Sequence, residues 1–205
     1  MKLLLLSLLL AVPCYAGKNA ELKPTLAKAG KVLTEQNFDT GGLDKPWTVA
    51  KGDWQVAGGA VVGKEKAEDK HPAVLALALP SKDSIMQLSF KLDGAKMLAL
   101  SYNHAAGHLF RVVITGDGFT INKDPDKNDP SIKGGVLGKA EAKFDKGQWY
   151  TILVEVKGEK VAVQADNGAK AEGADPRLAM DKINYRFVTQ GESVQLDDLK
   201  ITEAQ

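Results

Sequence analysis

The chain has 205 residues and a nearly balanced charge, with 27 Lys and Arg against 26 Asp and Glu. This balance excludes the strongly basic surface that nucleic-acid binding requires, so no nucleic acid is expected as a partner. The single cysteine excludes a disulfide framework, and the length is enough for one large hydrophobic core.

The first 16 residues have the pattern of a secretory signal peptide. A short basic start is followed by the apolar run LLLLSLLLAV and later by the small residue Ala16, after which we expect cleavage. The run is shorter than the roughly 20 residues that span a bilayer, so no membrane span is expected after cleavage. Cys14 leaves a lipoprotein signal open as an alternative, although Pro13 stands where such signals have a small residue. The sequence predicts an exported protein, periplasmic or extracellular.

A polar, Lys-rich stretch over residues 17–37 is predicted to be a flexible lead-in with a first strand at Lys31–Thr34. Residues 38–203 then show short β-runs separated by turn signals, at the spacing of sandwiches and barrels. The predicted strands are Trp47–Val49, Trp54–Val56, Ala60–Val62, Ala73–Leu79, Ser84–Leu92, Met97–Asn103, His108–Thr115, Phe119–Asn122, Trp149–Lys157, Lys160–Asp166, Ile183–Thr189 and Val194–Ile201. One short helical turn is predicted within Pro176–Ile183, and a long loop follows the strand that ends at Asn122.

Several of these runs alternate between apolar and polar residues. In residues 84–92, Met86, Leu88 and Phe90 fall on one face and polar residues on the other, and residues 151–157 show the same alternation. A period of two over this length is typical of a strand with one buried face. Since no window of similar length has the helical period, the pattern predicts an all-β domain.

The Gly-rich segment GDWQVAGGAVVG, residues 52–63, is compatible with either a phosphate-binding loop or a hairpin. A phosphate loop needs a helix directly after it, because the N–H groups at the start of that helix hold the anion. The charged residues after Gly63 soon reach Pro72, and the glycine spacing matches neither nucleotide-binding pattern. Gly58 and Gly59 suit the positive φ angles of a tight turn, so a hairpin is predicted.

Three motifs together resemble a known family. They are WQVAGGAVVG at residues 54–63, GQWYT at residues 147–151 and VQLDDLKI at residues 194–201. With these motifs, residues 38–202 are similar to the concanavalin-like jelly-roll domains of the 3-keto-disaccharide hydrolase family, which is widespread in exported bacterial proteins. The resemblance implies an antiparallel jelly-roll β-sandwich. The motifs mark the fold more than the chemistry, since such modules carry many activities.

The resemblance also implies a reaction class. A sugar oxidised at C3 has an acidic proton on C2, so a base can remove it, the glycosidic oxygen leaves C1, and water adds back. Such a site needs a general base and a cation or metal for the enolate oxygen. Ordinary glycosidases instead place two carboxylates around C1. The chain has no E-x-D-x-E strand, which disfavours a retaining β-glucanase.

The candidate catalytic residues lie mainly in the stretch SYNHAAGHLFR. His104 and His108 flank a turn between two predicted strands, where Gly107 excludes a helical zinc motif. They are interpreted as a base or a metal ligand at a sheet edge, with solvated loop histidines as the alternative. Arg111 falls on an apolar strand face, so it either pairs with a buried carboxylate such as Glu155 or binds a substrate oxygen. These four, His104, His108, Arg111 and Glu155, are the predicted catalytic residues.

The loop KDPDKNDPS, residues 123–131, spaces acidic oxygens like the start of a calcium loop. However, Asp129 replaces the glycine that a calcium loop has at its sixth position, and Gly135 replaces the closing Glu. A solvated loop over the sheet is therefore favoured, no metal ligand is predicted, and the cofactor is left as unknown, with a divalent metal the weaker option. Because long loops often border binding sites, Lys123 and Asp124 are predicted to contact substrate.

Polar side chains on two predicted strands would suit the hydroxyl groups of a sugar. Gln87 and Lys91 lie on one strand and Ser101 and Asn103 on another, and a jelly roll leaves one sheet face open to ligand. The predicted substrate-binding residues are Gln87, Lys91, Ser101, Asn103, Lys123 and Asp124. A plainly solvated sheet face remains the alternative.

These patterns lead to the hypothesis of an exported saccharide-active domain whose ligand is a saccharide or glycoside. The resemblance favours an enzyme acting on 3-keto-glycosides. Two alternatives stay open: a non-catalytic carbohydrate-binding or adhesion module, and a structural envelope protein that binds no saccharide. Convergence of His104, His108, Arg111 and Glu155 in one cleft would favour the enzyme.

Overall fold

The computed structural model describes residue 18 and residues 20–205. The predicted signal peptide, residues 1–16, lies outside the described residues. Fifteen strands are present: β1 (Ala29–Gln36), β2 (Trp47–Lys51), β3 (Asp53–Val56), β4 (Val61–Lys64), β5 (Ala73–Leu77), β6 (Ser84–Leu92), β7 (Ala95–His104), β8 (Gly107–Thr115), β9 (Gly118–Lys123), β10 (Gly135–Glu141), β11 (Trp149–Lys157), β12 (Lys160–Ala165), β13 (Lys170–Ala174), β14 (Asn184–Gly191) and β15 (Val194–Ala204). Two short 3₁₀ helices span Ala67–Asp69 and Pro176–Ala179.

The strands form two antiparallel sheets that pack face to face. Sheet A has eight strands in the order β13-β12-β11-β6-β15-β4-β3. β1 pairs with the C-terminal part of β15, on the same edge whose N-terminal part pairs with β4. Sheet B has seven strands in the order β10-β9-β8-β7-β14-β5-β2. This is an all-β, concanavalin-like jelly-roll sandwich, so the predicted fold class is confirmed. No helix among the described residues has both the length and the apolar character to cross a bilayer.

The core lies between the sheets and follows the predicted alternation. On β6, Met86, Leu88 and Phe90 are buried and face the other sheet. Sheet B contributes Tyr102 and Phe110, whose rings stack with their centroids 4.3 Å apart. Because each strand gives only every second side chain to this layer, the polar residues between them project from the two outer faces.

The segment GDWQVAGGAVVG forms the β3–β4 hairpin, as predicted. Gly58 and Gly59 have φ angles of 61° and 71°, which the turn requires and which residues with a Cβ rarely adopt. Trp54 is buried and packs across Gly63, where an added Cβ would come within 2.3 Å of the indole ring. The glycines therefore serve chain reversal and core packing rather than phosphate binding.

Two strands lie where no strand was predicted. β10 occupies part of the predicted long loop, and β13 follows the β12 strand as a short edge strand. Their sequences are GVLGKAE and KAEGA. Together they contain three glycines and a single β-branched residue, Val136. Edge strands with such sequences carry little of the alternation from which strands are recognised.

Residues 20–28, called the N-terminal strap here, lie across the outer face of sheet A. The buried carboxylate of Glu155 accepts hydrogen bonds from the backbone N–H groups of Thr25 (2.8 Å), Leu26 (2.9 Å) and Ala27 (3.1 Å). The Thr25 hydroxyl donates a fourth bond to it at 3.2 Å. The stretch predicted to be a lead-in thus contains a segment that is hydrogen-bonded to sheet A, and the predicted first strand is present as β1.

Candidate functional site

The outer face of sheet B carries two rows of polar side chains across its central strands β14, β7 and β8. Strand register places Ser101 directly between Arg186 and Arg111. The next row places Asn103 between Asn184 and His108. Residues that face each other in adjacent strands project from the same side of the sheet, so these two rows form one polar surface.

A bulge in β8 decides which side chain joins this surface. Tyr102 pairs with Phe110, but Asn103 pairs with His108, so Leu109 is an extra residue in the ladder. Without the bulge, regular pairing would bring the apolar Leu109 opposite Asn103. The extra residue turns Leu109 into the interior, where it is 1% exposed, and places the imidazole of His108 on the outer face.

The amide of Asn103 holds His108 in one orientation. Its nitrogen donates to the side-chain oxygen of Asn184 at 2.9 Å and to the backbone oxygen of Ser101 at 3.3 Å. Its oxygen therefore faces His108 Nδ1 at 2.6 Å and also accepts from the Ser101 hydroxyl at 3.2 Å. Because an amide oxygen can only accept, Nδ1 carries the proton and Nε2 is left with the lone pair.

The electrostatic surroundings favour a neutral His108. Burial lowers the pKa of His108 below its ordinary 6.5, and the positive charge of Arg111 lowers it further. Asp124 raises it in part, while Arg186 and Lys127 add smaller lowering effects. A neutral imidazole with a free Nε2 lone pair is the form that can accept a proton at neutral pH.

Arg111 is anchored by Asp124, which comes directly after β9. Its Nε donates to Asp124 Oδ2 at 3.1 Å, and one terminal nitrogen donates to Oδ1, so the ion pair is bidentate. A guanidinium has five N–H donors, and this pair uses two of them. The remaining three can donate to a ligand while the position of Arg111 stays fixed.

A cavity of about 230 Å³ opens beside these groups. Its wall consists of His104, Ala106, His108, Arg111 and the loop residues Asp124, Pro125, Asp126 and Lys127. Arg177, from the second 3₁₀ helix, holds this loop by donating to the Asp124 backbone oxygen at 2.7 Å and to Asp126 Oδ2 at 3.4 Å. The loop is therefore held in place as the rim of the cavity and is not a freely solvated loop.

The structure brings together part of the predicted site. His104, His108, Arg111 and Asp124 line the cavity, and Ser101 and Asn103 lie on the adjoining sheet surface. Lys123 lies at the end of β9 and pairs with Asp175 at 2.8 Å, next to the loop.

Glu155, Gln87 and Lys91 are not part of this group, because β11 and β6 belong to sheet A. The Glu155 carboxylate is taken up by the N-terminal strap, so it is neither the partner of Arg111 nor a member of the cluster. Gln87 accepts a bond from Leu22 N at 3.1 Å, and Lys91 lies 5.0 Å from the ring centroid of Trp149. Their predicted catalytic and binding roles therefore have no support from position.

The acidic loop residues are also used within the protein. Asp126 Oδ1 accepts from Asn128 N at 2.9 Å, and Asp129 Oδ1 accepts from the backbone and hydroxyl of Ser131 at 2.9 and 2.6 Å. Within the described part of the chain, no three His, Cys, Asp or Glu side chains are grouped so that they could hold a metal ion. The donor set around the cavity does not fit a divalent metal, so no chemistry is assigned to one.

Sequence reasoning missed Asn184 and Arg186, which belong to the same polar surface. The signal was present in β14, where Asn184, Arg186 and Val188 alternate with the buried Tyr185 and Phe187. Their proximity to Ser101 and Asn103 depends on the pairing of β14 with β7 and could not be read from the strand alone.

No protein-family model and no curated protein matches this sequence. The chain is similar in structure to the carbohydrate-binding module CBM66 from Bacillus subtilis, with a TM-score of 0.62, 13% identity and coverage of 77% of this chain and 95% of that one. It is also similar to a non-specific endo-β-1,3(4)-glucanase of family GH16, with a TM-score of 0.61, 11% identity and coverage of 89% and 95%. A third similar structure is a Bacillus subtilis protein of unknown function with a galectin-like fold. Its TM-score is 0.61 at 10% identity, and the match covers 87% of this chain and 99% of that one. At such identities the likeness shows the concanavalin-like fold and nothing finer.

Proposed function

We propose that the protein is a saccharide-active domain whose ligand binds on the outer face of sheet B, at the cavity beside His108. The observation that carries this proposal is the fixed, neutral imidazole, with Nδ1–H bound to Asn103 and the Nε2 lone pair free for a proton. The Asn184 amide and the unused N–H groups of Arg111 lie beside it, while the buried Asn103 and Ser101 hold the imidazole in place from beneath. Groups of these types are suited to the hydroxyl and carbonyl oxygens of a sugar.

The finer proposal is base-catalysed cleavage of a 3-keto-glycoside. His108 Nε2 takes the proton from C2, and the electron pair of that bond forms the enolate, with negative charge on the C3 oxygen. The unused N–H groups of Arg111 stabilise this charge. The C1–O bond then breaks as the enolate collapses to form a double bond between C1 and C2, and the protonated His108 gives its proton to the leaving oxygen. Water then adds across the double bond, with its oxygen bonding to C1 and a proton to C2.

This mechanism does not require a free carboxylate, and the carboxylates of the site are already paired. Asp124 and Asp126, which both line the cavity, are each bound to an arginine. A retaining or inverting glycosidase needs two carboxyl groups free to act on C1, one as acid and one as nucleophile or base. Proton abstraction by an imidazole needs neither, so it is the hydrolytic route that these residues can support.

The experiment is incubation of the protein with a 3-keto-disaccharide, with and without added divalent metal, followed by chromatography of the products. We expect cleavage by the wild type and a loss of about 10²–10⁴-fold in His108→Asn, the range typical of removing a general base. The matched control is His71→Asn, because His71 is exposed and lies outside this surface. Absence of product from the wild type under both conditions contradicts the enzymatic proposal.

A non-catalytic carbohydrate-binding module is the second candidate. It is favoured by the similarity to the CBM66 module, of which this chain covers 95%, and by the small size of the cavity. A binding module would retain its affinity for saccharides in His108→Asn, whereas an enzyme would lose turnover. Calorimetric titration together with chromatography of the products, on both proteins and the same sugars, separates the two, because a binding module binds the sugar and releases no product. Export to the periplasm or the medium belongs to the same proposal, and fractionation of cells that express the full chain tests it.

A further inference from the structure

The guanidinium of Arg186 is a charged group on the proposed binding face. It is half-buried on β14, in the centre of sheet B. Throughout the part of the chain that the structure describes, no hydrogen bond or ion pair involves its side chain. A partly buried guanidinium is seldom left unpaired in a folded protein. An anionic group of a ligand is the kind of partner that would satisfy this guanidinium.

The other two arginines of the described chain show the usual behaviour. Arg111 is paired with Asp124, and Arg177 donates to Asp126 and to a backbone oxygen. Both interactions hold the loop that forms the rim of the cavity. Arg186 lies on the same face as Arg111 but makes no such contact, so its role is not to fix this loop.

The neighbours of Arg186 leave space for an oxyanion. In the ladder it lies between Ala76 of β5 and Ser101 of β7, which are both small. Arg111 lies on the far side of Ser101, so the two arginine Cα atoms are separated by about 10 Å, the width of two strand spacings. A carboxylate or sulfate placed above Ser101 can reach both guanidinium groups, and Arg111 has three N–H donors unused.

The local balance of charge favours an anion as well. The basic groups that face this surface are Arg111, Arg186 and Lys127, and all three lower the pKa of the His108 imidazole. Asp124 offsets one of these charges, while Asp126 is matched by Arg177. The surface is thus positive although the whole chain has a net charge of only +1.

We propose that the ligand of this face is an anionic saccharide, whose carboxylate or sulfate group is bound by Arg186. The inference rests on the proposed function for the location of the sugar and adds the charge that the sugar carries. Planar, bidentate hydrogen bonding to a guanidinium suits a carboxylate, and a sulfate ester presents oxygens of the same chemistry. Arg186 is then a specificity-determining residue and His108 acts on the sugar that Arg186 holds in place.

The test is binding of an immobilised panel of oligosaccharides arranged in matched pairs. One arm compares a hexuronate oligosaccharide with its methyl ester, and a second compares a sulfated galactan oligosaccharide with its desulfated form. Both arms use the full chain as wild type, Arg186→Gln and Lys160→Gln. Lys160 is exposed on sheet A, so its variant removes the same charge at a distance from the site.

We expect the wild type to prefer the charged member of one pair, and that arm identifies the anion. Arg186→Gln should weaken this binding by roughly ten- to a hundredfold, since a hydrogen bond to a charged group is lost, while Lys160→Gln should not change it. Equal binding of charged and neutral members, unaffected by Arg186→Gln, overturns this inference and leaves the proposed function standing. Failure to bind any charged or neutral member also overturns this inference, whereas the proposed function is decided separately by the cleavage assay on the 3-keto-disaccharide.

Discussion

The outer faces of the two sheets carry similar polar residues, but one face is covered by another segment of the chain and the other is open. On sheet A, the carboxylate of Glu155 is buried beneath the N-terminal strap and its hydrogen bonds come mainly from backbone N–H groups. On sheet B, no described segment lies over His108 and Arg186 in this way, and both stay half-buried. A polar group on a sandwich surface can thus contribute to stability or to ligand binding, and what covers it decides which.

The largest expected effect is on the covered face. Glu155→Ala removes the acceptor of four donors and releases the strap from the apolar side chains of Ile85 and Leu153. The free energy of unfolding should fall by about 3 kcal/mol, measured by urea denaturation. Cleavage by trypsin after Lys28 should become faster.

Glu159→Ala is the matched control for this variant, because Glu159 is exposed at the turn that follows β11. It should change stability by no more than about 0.5 kcal/mol. Binding on the outer face of sheet B should be unaltered in both proteins. A Glu155→Ala protein as stable as the wild type would show that the strap does not stabilise sheet A.

A smaller effect is expected for Gln87→Ala. Gln87 accepts one bond from Leu22 N in the strap and lies on the sheet opposite the cavity. Loss of this single bond should cost about 1 kcal/mol in urea unfolding. Saccharide binding should not change, although sequence analysis placed Gln87 in the binding site. A loss of saccharide affinity without a loss of stability would show that Gln87 binds the ligand. It would contradict the assignment of ligand binding to sheet B alone.

On the open face, Asn103→Asp should raise the pKa of His108. The new carboxylate would lie against Nδ1, where it stabilises the charged imidazole, whereas burial and Arg111 lower the pKa in the wild type. NMR titration of the His108 ring protons measures the change. Asn167→Asp, in an exposed turn away from this surface, should leave the titration as it is. An unchanged His108 titration in Asn103→Asp would contradict the contact between the two side chains.

The smallest effect is a pH dependence of stability from His108. Because its pKa is lowered in the folded state, the unfolded chain binds the proton more readily as the pH falls below 6.5. His108 therefore contributes stability above this pH that is lost progressively below it, until the folded-state pKa is also passed. Thermal unfolding between pH 7 and pH 5 should show a steeper loss in the wild type than in His108→Asn. Parallel curves would mean that the imidazole titrates normally.

The sequence predicted much of the fold because the core strands alternate strongly, as in β6 and β11. The hairpin around Gly107 was also accessible, since His104, His108 and Arg111 are close along the chain. Gln87 and Ser101 were grouped in error, because the consecutive strands β6 and β7 belong to different sheets. The position of Arg186 beside Ser101 depends on the pairing of β14 with β7, which are far apart in sequence. The burial of Glu155 depends on the strap, about 130 residues earlier in the chain. Neither contact can be read from a local sequence pattern.

The contacts of the N-terminal strap determine how freely its own sequence could change. Glu155 and Gln87 accept from strap N–H groups, and Gln164 donates to the Lys23 backbone oxygen at 2.6 Å. The sheet thus recognises the strap mostly through its main chain, much as one strand recognises another. Replacement of strap side chains other than Leu22, Thr25 and Ala27 would be tolerated. Proline at Leu26 would not be tolerated, because it removes the N–H that Glu155 binds.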